Sequence, residues 1–198
     1  MTTLHLVRHA AHGQLGRALT GRTPGVHLSV EGRAQAALLA ERLVALPIAA
    51  VLSSPMERAQ ETAAAIAARL GLPVLTEPGL DEIDFGTWSG GAFDALEGSA
   101  EWLAWNRFRS FAPTPGGESM TAAQARALAV LARLHRDHPS GELVAVSHCD
   151  VIKAVLSHFL GTPLDLFHRI EIGPASRSVL RLFEHDARID AVNLPPGA

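Results

Sequence analysis

Short β-prone runs in this sequence end in polar or charged residues, and helical patterns separate the runs. Three such runs, with the residues that follow them, are 3–7 before Arg8 and His9, 49–53 before Arg58, and 142–147 before His148. Strands that alternate with helices predict an α/β fold built around a mainly parallel sheet. Ligands of such sheets bind beyond the carboxyl ends of the strands, so we expect these polar groups to meet at one edge.

The remaining patterns complete a three-layer sandwich in which helices cover both faces of the sheet. Two further strand-like runs span residues 73–76 and 178–183. The helical patterns span residues 30–46, 55–71, 119–138 and 150–160, with a short segment at 163–168. Ser29 is placed to cap the first helix, and Pro55 lies where proline favours a first helical turn. Thr121 and Gln124 have the spacing of a capping box for the third helix.

Residues 77–118 differ from the rest of the chain. All three tryptophans fall here, together with four phenylalanines and frequent Gly and Pro. We interpret this segment as a partly helical excursion from a single domain over residues 1–198. Its aromatic residues could form a lid over a substrate entrance, or only a small core of their own, and both are possible together.

Composition narrows the classes of function. Hydrophobic residues make up 47% of the chain and charged residues 19%, so it can bury a sizeable core. No run approaches the roughly 20 apolar residues of a membrane span, and Arg8 and His9 interrupt the stretch where a signal peptide would be apolar. The single Cys149 fits a reducing cytoplasm. The net charge of −3 and a single lysine disfavour nucleic-acid binding, whereas a few arginines could still hold one small anion. The sequence is compatible with a monomer and with a homodimer.

The polar groups at the predicted sheet edge suit phosphate-ester chemistry. Arg8 and Arg58 can bind a phosphate dianion through forked donors. His9 can attack phosphorus as a neutral imidazole if its other nitrogen is held by a hydrogen bond. Glu82 can protonate the departing oxygen and then activate water. His148 can stabilise charge on the transferring group.

Four motifs resemble the histidine phosphatase superfamily, which has the phosphoglycerate-mutase-like fold. They are LVRHA at 6–10, SSPMERAQET at 53–62, LDEIDFGTWSG at 80–90 and VSHCDVIKAVLSHFLG at 146–161. Their order and spacing match over nearly the whole chain. The resemblance implies a phosphohistidine on His9, binding of the phosphoryl group by Arg8, Arg58 and His148, and Glu82 as the proton donor. It also implies no metal and no other cofactor.

The chain departs from the family pattern in the residues that follow His9 and His148. Ala10 stands where the family usually has Gly, and Ala11 with His12 replaces a polar residue and Thr. Gln14 is the nearest candidate for a family Asn, and we include it with His12 as a candidate substrate-binding residue. Cys149 replaces a further Gly. Ala10 and Cys149 would be strained if the backbone there required positive φ.

Several residues keep a second interpretation. Asp81 and Asp84 compete with Glu82 for the role of the acid, and the spacing of Glu82 and Asp84 would place those two on one strand face. His12 could contact the phosphate or be an ordinary loop histidine. Ser53 could orient a catalytic group, but capping the second helix is at least as plausible for Ser53 or Ser54.

Other residues of interest have ordinary structural explanations. Cys149 could be a reactive thiol, although a small buried filler is favoured. Arg107 and Arg109 could reach a second anionic group of a substrate, but surface exposure is favoured. His135 and His138 have a spacing compatible with metal binding, although a solvated helix face is favoured.

Three functions remain open, and they share one scaffold. The first is a metal-independent phosphomonoesterase that forms a phosphohistidine on His9. The second is a phosphomutase, which returns the phosphoryl group to an alcohol; the family's dedicated mutases tend to carry longer excursions, so hydrolysis is favoured. The third is a non-catalytic phospho-ligand binder, which would need neither His9 nor Glu82. Each implies a small phosphorylated partner.

Overall fold

The computed structural model describes all residues, 1–198, and contains one six-stranded sheet. The strands are β1 (Thr2–Arg8), β2 (Ile48–Ser53), β3 (Val74–Thr76), β4 (Glu142–Ser147), β5 (Arg177–Leu182) and β6 (Ala187–Leu194). Their spatial order is β3-β2-β4-β1-β5-β6. Strands β1 to β4 pair in parallel, while β5 runs antiparallel to β1 and β6 antiparallel to β5. The predicted mainly parallel sheet is therefore confirmed.

Strand β6 is absent from the sequence prediction. It forms a hairpin with β5 at the edge of the sheet. Its side chains are only partly buried on the inner face, and the outer face carries Arg188 and Asp190. An edge strand that buries so little apolar surface gives a weak hydrophobic signal, and this explains why the pattern missed it.

Helices cover both faces of the sheet, as a three-layer sandwich requires. The main helices are α1 (Val30–Leu43), α2 (Glu57–Leu70), α5 (Met120–Asp137) and α6 (Cys149–Leu160). Helices α1 and α2 share a hydrophobic cluster with Val7, Val144 and Val146, whereas α5 and α6 pack with Leu4 and Leu6. Alternate residues of one strand thus face opposite layers. No helix combines the length and the hydrophobicity that a membrane span requires.

Three helix ends differ from the prediction. Helix α1 ends at Leu43 instead of residue 46, because Pro47 has no amide hydrogen to donate to the Leu43 carbonyl, which accepts from the Leu46 amide at 3.0 Å in a tighter turn. Helix α2 begins at Glu57, so Pro55 precedes the helix instead of lying in its first turn. The cap of α5 is Ser119, whose hydroxyl accepts from the Ala122 amide, and the capping box predicted at Thr121 does not form. Ser29 caps α1 as predicted.

The excursion at 77–118 contains two short helices and two 3-10 turns. They are α3 (Phe93–Leu96), α4 (Ala100–Arg107), Pro78–Leu80 and Gly86–Trp88. Trp105 is completely buried, and the ring of Trp102 meets Trp88 edge-on with 5.3 Å between the ring centres. These aromatic residues belong to the same hydrophobic cluster as Leu4 of β1. The excursion therefore packs directly onto the α5–α6 side of the sandwich.

Candidate active site

The loops that follow three parallel strands meet at one sheet edge, as predicted from their polar ends. Arg8 of β1 lies opposite Ser147 of β4, and the His9 amide donates to the Ser147 carbonyl at 2.9 Å. The Ser54 amide, just after β2, donates to the Val146 carbonyl at 2.9 Å. These hydrogen bonds hold the first residues of the three loops together. The sheet therefore sets the positions from which the side chains of the loops extend.

The imidazole of His9 is buried and has a defined tautomer. Its Nδ1 lies 2.8 Å from the Ala10 carbonyl oxygen, which can only accept, so Nδ1 carries the hydrogen. The Nε2 atom consequently holds a lone pair. Burial and the nearby cations Arg58 and Arg8 lower the pKa of His9 well below its ordinary value. The ring is therefore neutral near pH 7, the form that a nucleophile requires.

Close packing fixes the loop that carries His9. The Ala10 amide donates to the Thr62 hydroxyl of α2 at 3.0 Å. Helix α1 approaches the loop so closely that a Cβ on Gly32 would lie 1.9 Å from the Ala11 carbonyl oxygen. Only glycine fits there. Ala10 does not have positive φ, so the alanine that replaces the family's glycine is accommodated without backbone strain.

Arg58 and His148 contact each other beneath the His9 ring. Both side chains are completely buried. An Arg58 Nη2 hydrogen points to His148 Nδ1 at 3.2 Å, and the same nitrogen donates to the Gly21 carbonyl at 2.7 Å. The ring centres of His9 and His148 are 5.2 Å apart. Two further guanidinium nitrogens of Arg58, Nε and Nη1, are buried without a protein partner.

A relay of hydrogen bonds sets the orientation of His148. Because Arg58 can only donate, His148 Nδ1 is the acceptor and Nε2 carries the hydrogen. Nε2 donates to the Ser54 hydroxyl at 2.8 Å, and that hydroxyl donates to the Asp81 carboxylate at 3.1 Å. Burial, followed by Arg58, lowers the pKa of His148 well below its ordinary value. Ser54 thus orients a site histidine and does not provide the N-cap of α2, where the capping residue is Met56.

Glu82 is the carboxylate that the fold brings to His9. Its Oε2 lies 3.6 Å from His148 Nδ1, and the side chain lines the same cleft as His9. Burial, reinforced by the negative charge of Asp150, raises the pKa of Glu82 to about 7. Glu82 can therefore be protonated near neutral pH, as a general acid must be.

The other two carboxylates of this segment accept hydrogen bonds from main-chain amides. Asp81 accepts from the Glu82 amide at 2.8 Å, and Asp84 accepts from the Gly86 amide at 2.9 Å. Residues 81–85 are irregular, so the strand face proposed for Glu82 and Asp84 does not exist. Asp84 is also absent from the lining of the cleft.

Two arginines hold the main chain of Glu82, and the sequence pattern did not identify either. Arg22 Nε and Arg126 Nη2 donate to the Glu82 carbonyl at 2.8 and 3.1 Å. Both arginines also donate to Glu118 Oε1, at 3.0 and 2.6 Å. The group joins three segments that are far apart in the sequence, so no local signal could have revealed it.

A cleft of about 310 Å³ lies above His9. Its lining includes Arg8, His9, His12, Leu15, Leu19, Gly21, Glu82, Phe85, Phe93, Trp102, Asn106, Arg109, Cys149 and Asp150. Arg58 and His148 do not line the cleft, because the protein covers them completely. Gln14 is exposed and lines a separate hollow with Gly13 and His27, so the structure does not bring it to His9.

Arg8 and His12 lie at the surface of the cleft beside His9. Arg8 Nη1 donates to the Ile172 carbonyl at 2.6 Å, while its Nε is buried without a partner. The His12 ring centre is 5.3 Å from that of His9, and its Nδ1 is also buried without a partner. Burial, with Arg58 and Arg8, lowers the pKa of His12 to about 4. His12 is therefore a neutral residue of the cleft and not an ordinary exposed loop histidine.

Cys149, and the two histidines at the C-terminal end of α5, make contacts that stabilise the fold. Cys149 begins α6 without positive φ, and its thiol contacts the Ile172 carbonyl at 3.6 Å. Burial, with the charge of Asp150, raises the pKa of Cys149 to about 11, which suits an unreactive thiol. His135 Nδ1 lies 2.8 Å from the Thr2 hydroxyl, and the main-chain carbonyl of His138 accepts from that same hydroxyl.

The excursion supplies the remaining wall of the cleft. Phe93 and Trp102 line it and also belong to the aromatic cluster, so the cluster is both a small core and a cleft wall. Arg107 is exposed, as expected. The surface exposure expected of Arg109 is wrong: only 5% of this residue is exposed, and it lines the cleft. Its burial depends on aromatic contacts, one of them with Phe167, which lies far along the chain.

Comparisons with known proteins show the family of this chain. The chain is 36% identical over 208 residues to an uncharacterized protein of Mycobacterium tuberculosis, with 100% of this chain and 98% of that protein covered. It is 31% identical to phosphoserine phosphatase 1 of Hydrogenobacter thermophilus, over 98% of this chain and 93% of that protein. The native structure of a mycobacterial glucosyl-3-phosphoglycerate phosphatase superposes with a TM-score of 0.85 at 28% identity, covering 97% and 98% of the two chains. Residues 4–195 match the model of the histidine phosphatase superfamily, branch 1, and the chain therefore belongs to that superfamily.

Proposed function

We propose that this protein hydrolyses a phosphate monoester through a phosphohistidine on His9. One observation carries the assignment: the Ala10 carbonyl fixes the hydrogen of His9 on Nδ1, which leaves a neutral Nε2 nucleophile in the cleft that also holds Glu82. The phosphatases among its relatives support the same chemistry. A small phosphorylated molecule is the partner, and the cytoplasm is the compartment that we propose on the basis of the single cysteine.

In the first step, Nε2 of His9 attacks phosphorus while the bond to the leaving oxygen breaks. Glu82, protonated because burial raises its pKa to about 7, gives its proton to that oxygen. Arg8 and His12 contact the phosphoryl oxygens at the cleft surface. Arg58, which lies beneath the His9 ring, contributes its positive charge. His148 accepts from Arg58 and thereby orients it. The fixed cations stabilise the charge that spreads over the equatorial oxygens.

In the second step, water attacks the phosphohistidine. The Glu82 carboxylate, left without its proton, takes one from the water, and the bond between phosphorus and Nε2 breaks. Inorganic phosphate leaves, and both His9 and Glu82 return to their starting forms. A mutase would differ only in using an alcohol as the acceptor, so phosphate release distinguishes the two reactions.

The test is mass spectrometry of the intact protein after brief mixing with 4-nitrophenyl phosphate and a denaturing quench that avoids acid. We expect one added phosphoryl group on the wild type and none on His9→Ala. Turnover should fall by roughly 10⁴-fold or more in the variant, because the covalent route is lost. His185→Ala is the matched control, since His185 is an exposed histidine far from the cleft.

Each contrary outcome has a distinct meaning. Full turnover by His9→Ala would show that His9 is not the nucleophile. Conversion of 3-phosphoglycerate into 2-phosphoglycerate without release of phosphate would identify a mutase instead. Absence of both turnover and adduct on a panel of esters would indicate a non-catalytic binder.

A further inference from the structure

We propose that an ion pair in the cleft wall, Arg109 with Asp150, selects esters whose leaving alcohol carries no net negative charge. The inference rests on the proposed function and specifies the substrate class of the same site. Both residues line the cleft that contains His9. Neither contacts the transferring phosphoryl group in the steps above, and the charge of Asp150 influences those steps only through the pKa of Glu82.

The guanidinium of Arg109 is built into the wall and cannot turn freely towards a ligand. Its central carbon lies 4.6 Å from the ring centres of both Trp105 and Phe167. Nη1 donates to Asp150 Oδ2 at 2.8 Å, and Nη2 donates to Asn106 Oδ1 at 2.9 Å. Aromatic faces and two acceptors together fix the plane of the guanidinium.

Asp150 lines the cleft and has one carboxylate oxygen without a protein partner. Its Oδ2 is bound by Arg109, whereas Oδ1 accepts no hydrogen bond from the protein, and 23% of the side chain is exposed. A carboxylate oxygen can only accept, so it favours a hydroxyl or ammonium group of a ligand. A carboxylate or a second phosphate on the ligand would be repelled.

The charges of the cleft are divided between two places. Arg8 and Arg58 donate to main-chain carbonyls and form no salt bridge, so the positive charges of both can stabilise a phosphate dianion beside His9. The pair of Arg109 and Asp150 adds no net charge. Lys153 is another nearby cation, with Nζ 5.5 Å from the Phe167 ring, but it does not line the cleft.

A leaving group that carries a negative charge would therefore lie near Asp150 without a cation to neutralise that charge. A neutral hydroxylated group avoids this repulsion and can donate to Oδ1. A zwitterion also fits, because its ammonium can face Asp150 and offsets the negative charge of its own carboxylate. Phe93 and Trp102 in the same wall can contact the carbon skeleton of either kind of group. Repulsion of the wrong ligand thus contributes to specificity as much as attraction of the right one.

Three small esters isolate the effect of charge, because they share a three-carbon skeleton. The leaving group of glycerol 3-phosphate is neutral, that of phosphoserine is zwitterionic, and that of 3-phosphoglycerate carries an uncompensated carboxylate. We expect kcat/KM for each of the first two esters to exceed that for 3-phosphoglycerate by about tenfold or more.

The variant Asp150→Asn should narrow this preference. Removal of the carboxylate leaves Arg109 with an uncompensated charge, so the ratio of kcat/KM between glycerol 3-phosphate and 3-phosphoglycerate should fall by about fivefold or more. The ratio is the readout because any change in the shared phosphoryl chemistry cancels in it. Asp94→Asn is the matched control, because Asp94 is exposed, lies next to Phe93 and is outside the cleft. The ratio of kcat/KM between the two esters should be the same in this variant as in the wild type.

The outcomes separate this inference from the proposed function. Hydrolysis with no preference against 3-phosphoglycerate would overturn the inference and leave the phosphatase assignment intact. An unchanged ratio in Asp150→Asn would also overturn it, because the selection would then arise elsewhere. Failure of the wild type to hydrolyse any ester would overturn the proposed function and the inference with it.

Discussion

The two sides of the cleft are built in different ways. The phosphoryl side takes His9 and His148 from positions directly after parallel strands and Arg58 from the first turn of α2, and all three are buried and hydrogen-bonded to the sheet edge or to each other. The leaving-group side takes Trp102 and Arg109 from the excursion, where the helices are short and the connections irregular. Glu82 lies where the two sides meet.

This difference separates chemistry from selection. A rigid sheet edge can hold a nucleophile and its cations within the small tolerances of a reaction. An irregular excursion packed on the same sheet can vary in side chains without disturbing those positions. We therefore expect substitutions on the phosphoryl side to affect all esters alike, and substitutions on the leaving-group side to change their ranking.

The largest effect among the tests of this division is expected for Glu82→Gln. Loss of the proton donor should lower kcat about 10³-fold for alkyl esters, whose leaving oxygens need a proton, and much less for 4-nitrophenyl phosphate. In the wild type, kcat/KM should decline as pH rises above about 7, because the protonated form of Glu82 is then lost. That decline should be absent in the variant.

The pH profile is decisive for Glu82, and the exposed Glu97 of the excursion offers the control Glu97→Gln. The control should keep both the rate and the decline above pH 7. A decline that persists in Glu82→Gln would mean that another group is the acid, and an equal loss for alkyl and aryl esters would argue for a structural role.

A smaller effect is expected for Arg58→Lys. A lysine keeps the charge but loses the planar guanidinium, whose Nη2 donates to Gly21 and His148 and whose other two nitrogens have no protein partner, so kcat/KM should fall by about 10²-fold. The loss should be the same for glycerol 3-phosphate and 3-phosphoglycerate, unlike the change expected for Asp150→Asn. Arg69→Lys, on the exposed end of the same helix, is the matched control. A changed ratio between the two esters would break the division between the two sides.

The smallest effect is expected for Ser99→Ala. The Ser99 hydroxyl accepts from the Trp102 amide at 3.0 Å and caps α4, so its removal should destabilise that helix by about 1 kcal/mol. Thermal unfolding would measure this loss. We expect KM to rise severalfold for bulky esters and kcat to stay constant, because only the leaving-group side is loosened. A fall in kcat as large as that of Arg58→Lys would show that the excursion also positions the phosphoryl side.

The sequence-based prediction was most successful where a residue's position follows from a strand end. His9 and His148 each come directly after a buried strand, and parallel pairing brings the ends of such strands to one edge. Glu82 needed the family resemblance, because an irregular loop with three acidic residues gives no local reason to prefer one. Gln14 was placed in the site by analogy alone, and the path of its loop carries it to a different hollow.

The prediction failed where burial depends on distant partners. Arg109 resembles any surface arginine of a polar segment, and only the approach of Phe167 and Asp150 makes its burial possible. The Glu118 group that holds the Glu82 main chain likewise joins residues remote in sequence. Strand β6 was missed because an edge strand buries little apolar surface.

The sequence by itself determined the layered α/β fold, the sheet edge that carries the site, and the residue types available there for phosphoryl transfer. Periodicity and strand ends are local properties, so they can be recognised before folding is known. Tertiary structure alone decided the tautomers of His9 and His148, the raised pKa of Glu82 and the burial of Arg109. The His9 tautomer depends on the backbone conformation at Ala10, whose amide is held by Thr62 of α2. The others depend on desolvation and on contacts between segments far apart in the chain, and no local pattern encodes them.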